Sequence, residues 1–394
     1  MAKRIAFVPP RFGRAVLGGS EAVTREAAIG FAGRGWSVEV LTTCAVDHYT
    51  WANDLPEGAS EEDGLVVRRF PTVHTPSRAA QKADRLVSAG EMPSLDLQVS
   101  WLSFRFQVPG LFHHLLRYGS QFDAIVFSPY MFWTTAVCLP IVADRAVAMP
   151  CLHDEWYARL DVLRPVMSSP GVAWFLSEPE HQLAHRLGPV TPNHMVTGAG
   201  VHVPATYDPQ RFRERYGLHR PFLLYAGRRE PGKGWDWLID LFAYTVQKLS
   251  LDLDLVTIGV GPVSPPPEVS ERVVDLGFLS AEERDSAFAA ATAYVQPSRL
   301  ESFSRTIMES WLAGTPVLAV ADSEVVAWHC ERSGGGLLFS GQEDFAQGVR
   351  SLCDDPAGTA ALAQSGRQYV LDEYSWYAVL DRMEASLGAR GTPA

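Results

Sequence analysis

Short apolar runs alternate with amphipathic stretches along this chain, and their order predicts its architecture. Ile5, Ala6, Phe7 and Val8 form an uninterrupted apolar run that reads as a buried strand. A loop of Pro, Gly and Arg follows as far as Gly19, then a helical pattern opens after Ser20 and runs to about residue 32. Gly33 and Gly35 close that helix, and residues 37–42 read as the next strand. Strand, loop, helix, strand is the grammar of a parallel α/β sheet. It recurs with a strand at 124–128, a helix at 134–143 and a strand at 147–152. Residues 72–110 break the rhythm with a polar stretch ending in WLSFRFQVPG, and are expected to form an insertion or mobile lobe outside the core.

The pattern restarts near residue 200, where Gly198, Gly200 and Pro204 mark a linker. A strand at 222–226, a helix at 235–249 and a strand at 253–258 follow. Then come a helix at 282–291, a strand at 293–296, a helix at 306–313, a strand at 317–321 and a last helix near 376–386. The expected fold class is α/β, with two facing Rossmann-like, doubly wound domains and a deep interdomain cleft.

Composition agrees with two domains. The chain has 394 residues, 47% of them hydrophobic and 20% charged, which is too long for one ordinary core and too apolar for disorder. Net charge is −11, and the acid excess is uneven. Residues 1–205 hold 17 Lys and Arg against 19 Asp and Glu, whereas the remainder holds 17 against 26. A nucleic-acid binder shows a basic footprint, so that class is excluded, and an anionic ligand must be held by a few local cations. The apolar run before Pro9 and Pro10 is too short for a secretory signal, and no apolar run reaches a membrane-spanning length. The expected location is therefore cytoplasmic, with peripheral membrane contact left open by the amphipathic GLFHHLLRYG segment carrying His113 and His114. Cys44, Cys138, Cys151, Cys330 and Cys353 show no C-x-x-C or Cys/His metal spacing, so reduced thiols and no metal site are expected.

Four groups of residues carry candidate chemistry. Gly18, Gly19, Ser20 and Glu21 open the first helix, where small residues let backbone amides approach an anion. A glycine pair is a weak signal by itself, and a plain loop with Ser20 as N-cap is the simpler reading of it. Arg228 and Lys233, in AGRREPGKG directly after a strand, stand where α/β sheets hold ligands and could neutralise a diphosphate; the other reading is a solvated basic turn. Glu301 and Glu309 lie eight apart in RLESFSRTIMESWLAGTPVLA, one in a loop and one on the following helix. A loop carboxylate accepts sugar hydroxyls, and a helical one accepts both hydroxyls of a ribose. Ser302 and Ser304 are expected to cap that helix. His153, at a strand end, could donate to a sugar hydroxyl or orient a reacting phosphate, or serve packing alone. The Asp252-Leu253-Asp254 triplet has metal-holding spacing but opens a strand, and is expected to be a solvated strand start.

On these residues the chain resembles the retaining GT-B glycosyltransferases, most closely their family 4 group. The resemblance is dense from 222 to 339 and thin from 45 to 145. The Gly-Gly-x-Glu loop of that family is matched by Gly18, Gly19 and Glu21. Its Gly-Arg…Lys-Gly element, which grips the nucleotide diphosphate, is matched by Gly227, Arg228, Lys233 and Gly234. Its Glu-x7-Glu motif is matched by Glu301 and Glu309, which implies that Glu301 contacts the donor sugar and Glu309 the ribose. His153 falls where the family has a strand-end His near the donor sugar.

The resemblance implies an acceptor-side domain of residues 1–200, completed by a crossover helix at 374–390, and a donor domain of residues 201–373. It implies transfer of a sugar from a nucleotide-diphosphate donor to an acceptor hydroxyl, with retention and without a metal or other cofactor. His153, Arg228, Lys233 and Glu301 are the candidate catalytic residues. Gly18, Gly19, Gly227, Ser302, Phe303, Ser304 and Glu309 are the candidate donor-binding ones. The acceptor is a small molecule or glycan, with a lipid-linked one open. Where the family has Glu-Gly-Phe-Gly this chain has Glu301-Ser302-Phe303-Ser304, so its sugar pocket is expected to be reshaped. A same-fold sugar-nucleotide epimerase or pseudo-glycosyltransferase, or a non-catalytic sugar-nucleotide binder, remains the alternative.

Overall fold

The computed structural model describes residues 2–16, 18–75 and 77–388. Two compact units account for the chain: Met1–Gly200 together with Trp376–Ala394, and Val201–Ser375.

In the first unit, β1 (Arg4–Val8), β2 (Ser37–Thr43), β3 (Gly58–Glu62), β4 (Leu65–Phe70), β5 (Ala124–Phe127), β6 (Ala146–Ala148), β7 (Val172–Phe175) and β8 (His194–Val196) form one sheet. Their order is β3-β4-β2-β1-β5-β6-β7-β8. All neighbours are parallel except the antiparallel β3–β4 pair at the edge. Ile5 pairs with Val38 on one side and Ala124 on the other, so β1 is buried on both faces and reads as a continuous apolar run. Helix α1 (Gly19–Gly33) follows β1. Helix α2 (Glu178–Leu187) begins with the Ser177 hydroxyl accepting the Glu180 N–H and follows β7.

The C-terminal helix, Trp376–Gly388, belongs to this unit although 175 residues of the other unit precede it. Val379 and Met383 are fully buried, and the Trp174 indole donates to Ser386 Oγ at 2.7 Å. A Cβ on Gly30 would stand 2.5 Å from Leu380 Cδ1, so the two helices approach where α1 has no side chain. Residues 389–390 of the expected crossover helix lie outside the described residues.

Two expectations for this unit change. Residues 72–110 are folded rather than a loose lobe: helix Arg78–Ser88 starts at a Ser77 cap and buries Ala80, Ala83 and Val87. Phe106 and Val108 enter the core. Its polar face masks a narrow apolar stripe at helical spacing. The helix expected at 134–143 is instead a short turn of helix, Trp133–Ala136, and a 3-10 turn, Leu139–Val142, around Pro140.

In the second unit, β9 (Phe222–Ala226), β10 (Asp254–Ile258), β11 (Val273–Asp275), β12 (Ala293–Gln296), β13 (Val317–Val320) and β14 (Gly336–Phe339) form an all-parallel sheet. The order is β11-β10-β9-β12-β13-β14. Helices α3 (Trp235–Leu249) and α4 (Arg305–Leu312) follow β9 and β12. Leu238, Leu241 and Phe242 of α3 pack with Leu223, Leu255 and Val295 of the sheet. The strand order reverses at β9, whose neighbours are β10 and β12, so the loops leaving β9 and β12 border a topological switch point.

Candidate functional site

The loop after β9 is built on glycines that other backbone touches. Gly259 has φ +126°, and a Cβ there would stand 2.2 Å from the Gly227 carbonyl oxygen. Arg229 anchors the loop from below. It is buried, donates to the Gly261 carbonyl at 2.9 Å and to Thr257 Oγ1 at 3.2 Å, and pairs with Asp275 at 3.2 Å. Its neighbour Arg228 is half-exposed and pairs with Glu230 at 3.2 Å, while the Tyr225 hydroxyl donates to the Arg228 carbonyl at 2.7 Å. Adjacent arginines thus do different work: Arg229 holds the loop and Arg228 keeps a guanidinium near solvent.

Lys233 ends the 3-10 turn Pro231–Lys233, and Gly234 follows with φ +73°. A Cβ on Gly234 would lie 2.6 Å from the Pro297 carbonyl oxygen, so the loops leaving β9 and β12 touch through backbone. That contact brings Lys233 Nζ to 2.8 Å from Glu301 Oε1. Both side chains are partly buried, and the ion pair sits at the switch point of the sheet.

Beyond Glu301, Ser302, Phe303 and Ser304 are all buried. The Phe303 ring lies edge-on to His329 at 5.2 Å and to Tyr374 at 4.9 Å. Burial drives the His329 imidazole down to about 3, so it is neutral beneath the loop, with Nδ1 2.9 Å from the Tyr369 hydroxyl. Ser304 occupies the N-cap position of α4 in the left-handed region at φ +64°, but its side chain does not cap the helix. The Gln296 amide donates to Ser304 Oγ at 2.6 Å, which fixes the hydroxyl toward the sheet and corrects the capping expected for it. Glu309 stands on α4 and pairs with Arg284 at 3.5 Å. The two acids of the eight-residue spacing therefore take separate cationic partners.

In the first unit, Gly18 and Gly19 open α1. Glu21 folds back so far that a Cβ on Gly18 would stand 2.2 Å from Glu21 Oε2. Glu21 also forms a buried ion pair with Arg11. Ser20 is not the N-cap; that position falls to Gly18, and the Ser20 hydroxyl donates to Glu21 at 2.8 Å. His153 lies in the loop after β6, half-buried, with Nδ1 3.6 Å from Glu155 Oε2. The loop is held from beneath by Glu180 of α2, whose carboxylate accepts the Leu152 N–H at 2.6 Å and also the Leu176 N–H. Burial raises the Glu180 carboxyl to about 8, against the opposing pull of those backbone donors.

Other sequence features settle differently. The solvated strand start holds for Asp252, which is exposed and pairs with Arg220 at 2.8 Å, whereas Asp254 is buried at the start of β10 and pairs with the same Arg220 at 3.3 Å. GLFHHLLRYG forms the helix Pro109–Tyr118, with Leu111 and Leu115 buried, and burial lowers the pKa of His114. All five cysteines are free, and four are buried. Among the described residues, no helix is long and apolar enough to cross a membrane. Sequence reasoning missed Glu180, Arg284 and a cluster of His181, His185 and His194. Only the cluster carried a legible signal, the His-x3-His spacing that puts two rings on one helix face.

Residues 220–355 match the family described as Glycosyl transferases group 1, a span that contains the Lys233–Glu301 pair and Glu309. The chain is similar to the D-inositol 3-phosphate glycosyltransferase 1 of Catenulispora acidiphila, 33% identical over 214 residues, covering 47% of this chain and 50% of that protein. It is also similar to the GDP-mannose-dependent alpha-(1-6)-phosphatidylinositol monomannoside mannosyltransferase of Mycolicibacterium smegmatis. That relative is 27% identical over 265 residues, covering 59% of this chain and 67% of the relative. The chain thus spans about half the length of the first of these curated relatives. Among solved structures, the sucrose-phosphate synthase of Thermosynechococcus elongatus superposes with a TM-score of 0.74 at 18% identity, covering 97% of this chain and 98% of that one. The fold is that of the GT-B glycosyltransferases, with helices around a mostly parallel sheet in one unit and an all-parallel sheet in the other.

Proposed function

We propose that this protein is a retaining glycosyltransferase that moves a sugar from a nucleotide-diphosphate donor to an acceptor hydroxyl. The observation that carries the reading is the Lys233–Glu301 pair at the switch point of β9 and β12, inside the span that matches the glycosyltransferase family. A cation and a carboxylate 2.8 Å apart supply the two recognitions that a sugar diphosphate needs. Lys233 and Arg228 face the diphosphate, Glu301 accepts hydrogen bonds from sugar hydroxyls, and Glu309 accepts those of the ribose. Gly227, Ser302, Phe303 and Ser304 shape the donor pocket. His153 donates to a sugar hydroxyl or orients the reacting phosphate, and the Gly18–Gly19 loop presents backbone amides.

In the proposed step, the bond between the anomeric carbon and the diphosphate oxygen breaks as the acceptor oxygen bonds to the same face of that carbon. The acceptor proton passes to the departing phosphate oxygen. Negative charge grows on the diphosphate, and Lys233 and Arg228 stabilise it without a metal. The relatives' names support an inositol-bearing acceptor, free or lipid-linked, as the first to try.

A thermal-shift panel of UDP, GDP, TDP and ADP sugars, followed by product analysis with donor alone and donor plus acceptor, tests the reading. One sugar nucleotide is expected to raise the melting temperature, because it binds only the folded state. The anomeric configuration of its product is expected to match that of the donor. Response to none of them would overturn the reading. Conversion of the donor sugar without an acceptor would instead establish the epimerase alternative.

A further inference from the structure

We infer that His181, His185 and His194, none of which the proposed donor reaction uses, form a zinc site on the first unit. His181 and His185 stand one turn apart on α2, and His194 opens β8. One ring nitrogen from each lies within 4.8 Å of the others. The His181–His185 Nε2–Nε2 separation is 3.0 Å, and the ring centroids of His181 and His194 are 4.5 Å apart.

The orientation of the rings, more than their proximity, points to a cation. The Nδ1 of His194 is 3.0 Å from the Thr191 carbonyl oxygen, and the Nδ1 of His181 is 3.4 Å from Glu178 Oε1. A carbonyl and a carboxylate only accept, so both Nδ1 atoms carry the proton. The lone pairs of these two rings are then on Nε2. Metal-binding histidines are commonly fixed this way, with one nitrogen donating to a backbone carbonyl or carboxylate and the other on the metal.

Two ligands on a tetrahedral zinc are about 3.3 Å apart, given Zn–N near 2.05 Å. The observed 3.0 Å is close to that value, and the exposed His185 ring can rotate to meet it. Three imidazoles leave a fourth position for water, and imidazole ligands suit zinc. A bound ion would tie α2 to β8, a three-residue strand at the edge of its sheet whose only strand partner among the described residues is β7. The ion would act as a clasp on the last strand of the first unit.

Isothermal titration of untagged, chelator-stripped full-length protein with zinc chloride tests the proposal, alongside His185→Ala and His194→Ala. The wild type is expected to bind one equivalent of zinc and to melt at a higher temperature with it. Each variant is expected to lose at least about tenfold in affinity and the zinc-dependent melting shift. Cobalt in place of zinc is expected to give visible absorption in the wild type only. Because His185 is exposed on a helix face, its variant is expected to keep the metal-free melting temperature, so it decides the outcome even if His194→Ala folds poorly. Zinc binding that is absent in the wild type, or unchanged in His185→Ala, would overturn the proposal.

Discussion

Lys233 and Glu301 are 68 residues apart in the chain and 2.8 Å apart in space. Backbone contact between Gly234 and Pro297 delivers them to each other, so the pair is preorganised by the loops and does not depend on a long search by flexible side chains. Lys233→Ala is expected to lower kcat/KM by about a hundredfold or more, the scale for removing one donor that meets charge developing in a transition state. Glu301→Gln should also be impaired. The double variant should lose less than the product of the single losses, because the residues act as a unit. Steady-state kinetics on the donor sugar checks this, and a Lys233→Ala activity within twofold of wild type removes Lys233 from the diphosphate.

Gly259→Ala tests the backbone beneath that pair. The added methyl meets the Gly227 carbonyl at 2.2 Å in a backbone conformation of φ +126°, so it cannot be absorbed by a side-chain shift. A loss of about 2–4 kcal/mol in unfolding free energy is expected, measured by denaturant titration, together with loss of the donor-induced thermal shift.

Glu309 offers a different kinetic signature. It sits on α4, beyond the loop that carries Glu301, and already has Arg284 at 3.5 Å. If it holds the ribose, its contribution is the same in ground and transition states. Glu309→Gln is then expected to raise the donor KM about tenfold and leave kcat within a few-fold. An equal fall in kcat and kcat/KM would give it a part in the chemical step.

Buried His329 is expected to make the second unit acid-sensitive. Its folded pKa is depressed to about 3 by burial, below the ordinary 6.5, so the unfolded chain binds the extra proton first. Its contribution to stability is therefore full above pH 6.5 and fades as pH falls toward 3. His329→Phe is expected to flatten that part of the stability profile in urea melts at pH 7, 5.5 and 4. An unchanged slope would assign the acid sensitivity to other groups. Phe303 packs edge-on to His329, so the wild-type loop 301–304 should loosen over the same range.

Strongly periodic or continuous apolar segments were legible without coordinates. The run 5–8 is β1, and 222–226 is β9, because a strand buried on both faces needs no polar alternation. Six strands lie outside that reading: β7, β8, β11 and β14 have only three or four residues and carry too little pattern, while β3 lacks large apolar residues and β4 is interrupted by Arg68 and Arg69. Within residues 72–110, the helix Arg78–Ser88 shows more polar surface than apolar stripe. At the candidate site, glycines and charges after strands marked the loops. They did not show that Arg229, beside Arg228, is a buried anchor, or that Ser304 turns its hydroxyl to Gln296.

The sequence by itself determined the α/β class, the loops that carry charge and glycine, and the residue types offered to a ligand. These follow from local periodicity and from the few residues that tolerate tight turns. Only the tertiary structure decided which of those residues meet. Pairing of Lys233 with Glu301, of Glu309 with Arg284, and of His181 with His185 and His194 depends on strand order and loop contact across distant segments. Partners across a sheet are set by the order in which parallel strands assemble, and no local pattern encodes that order.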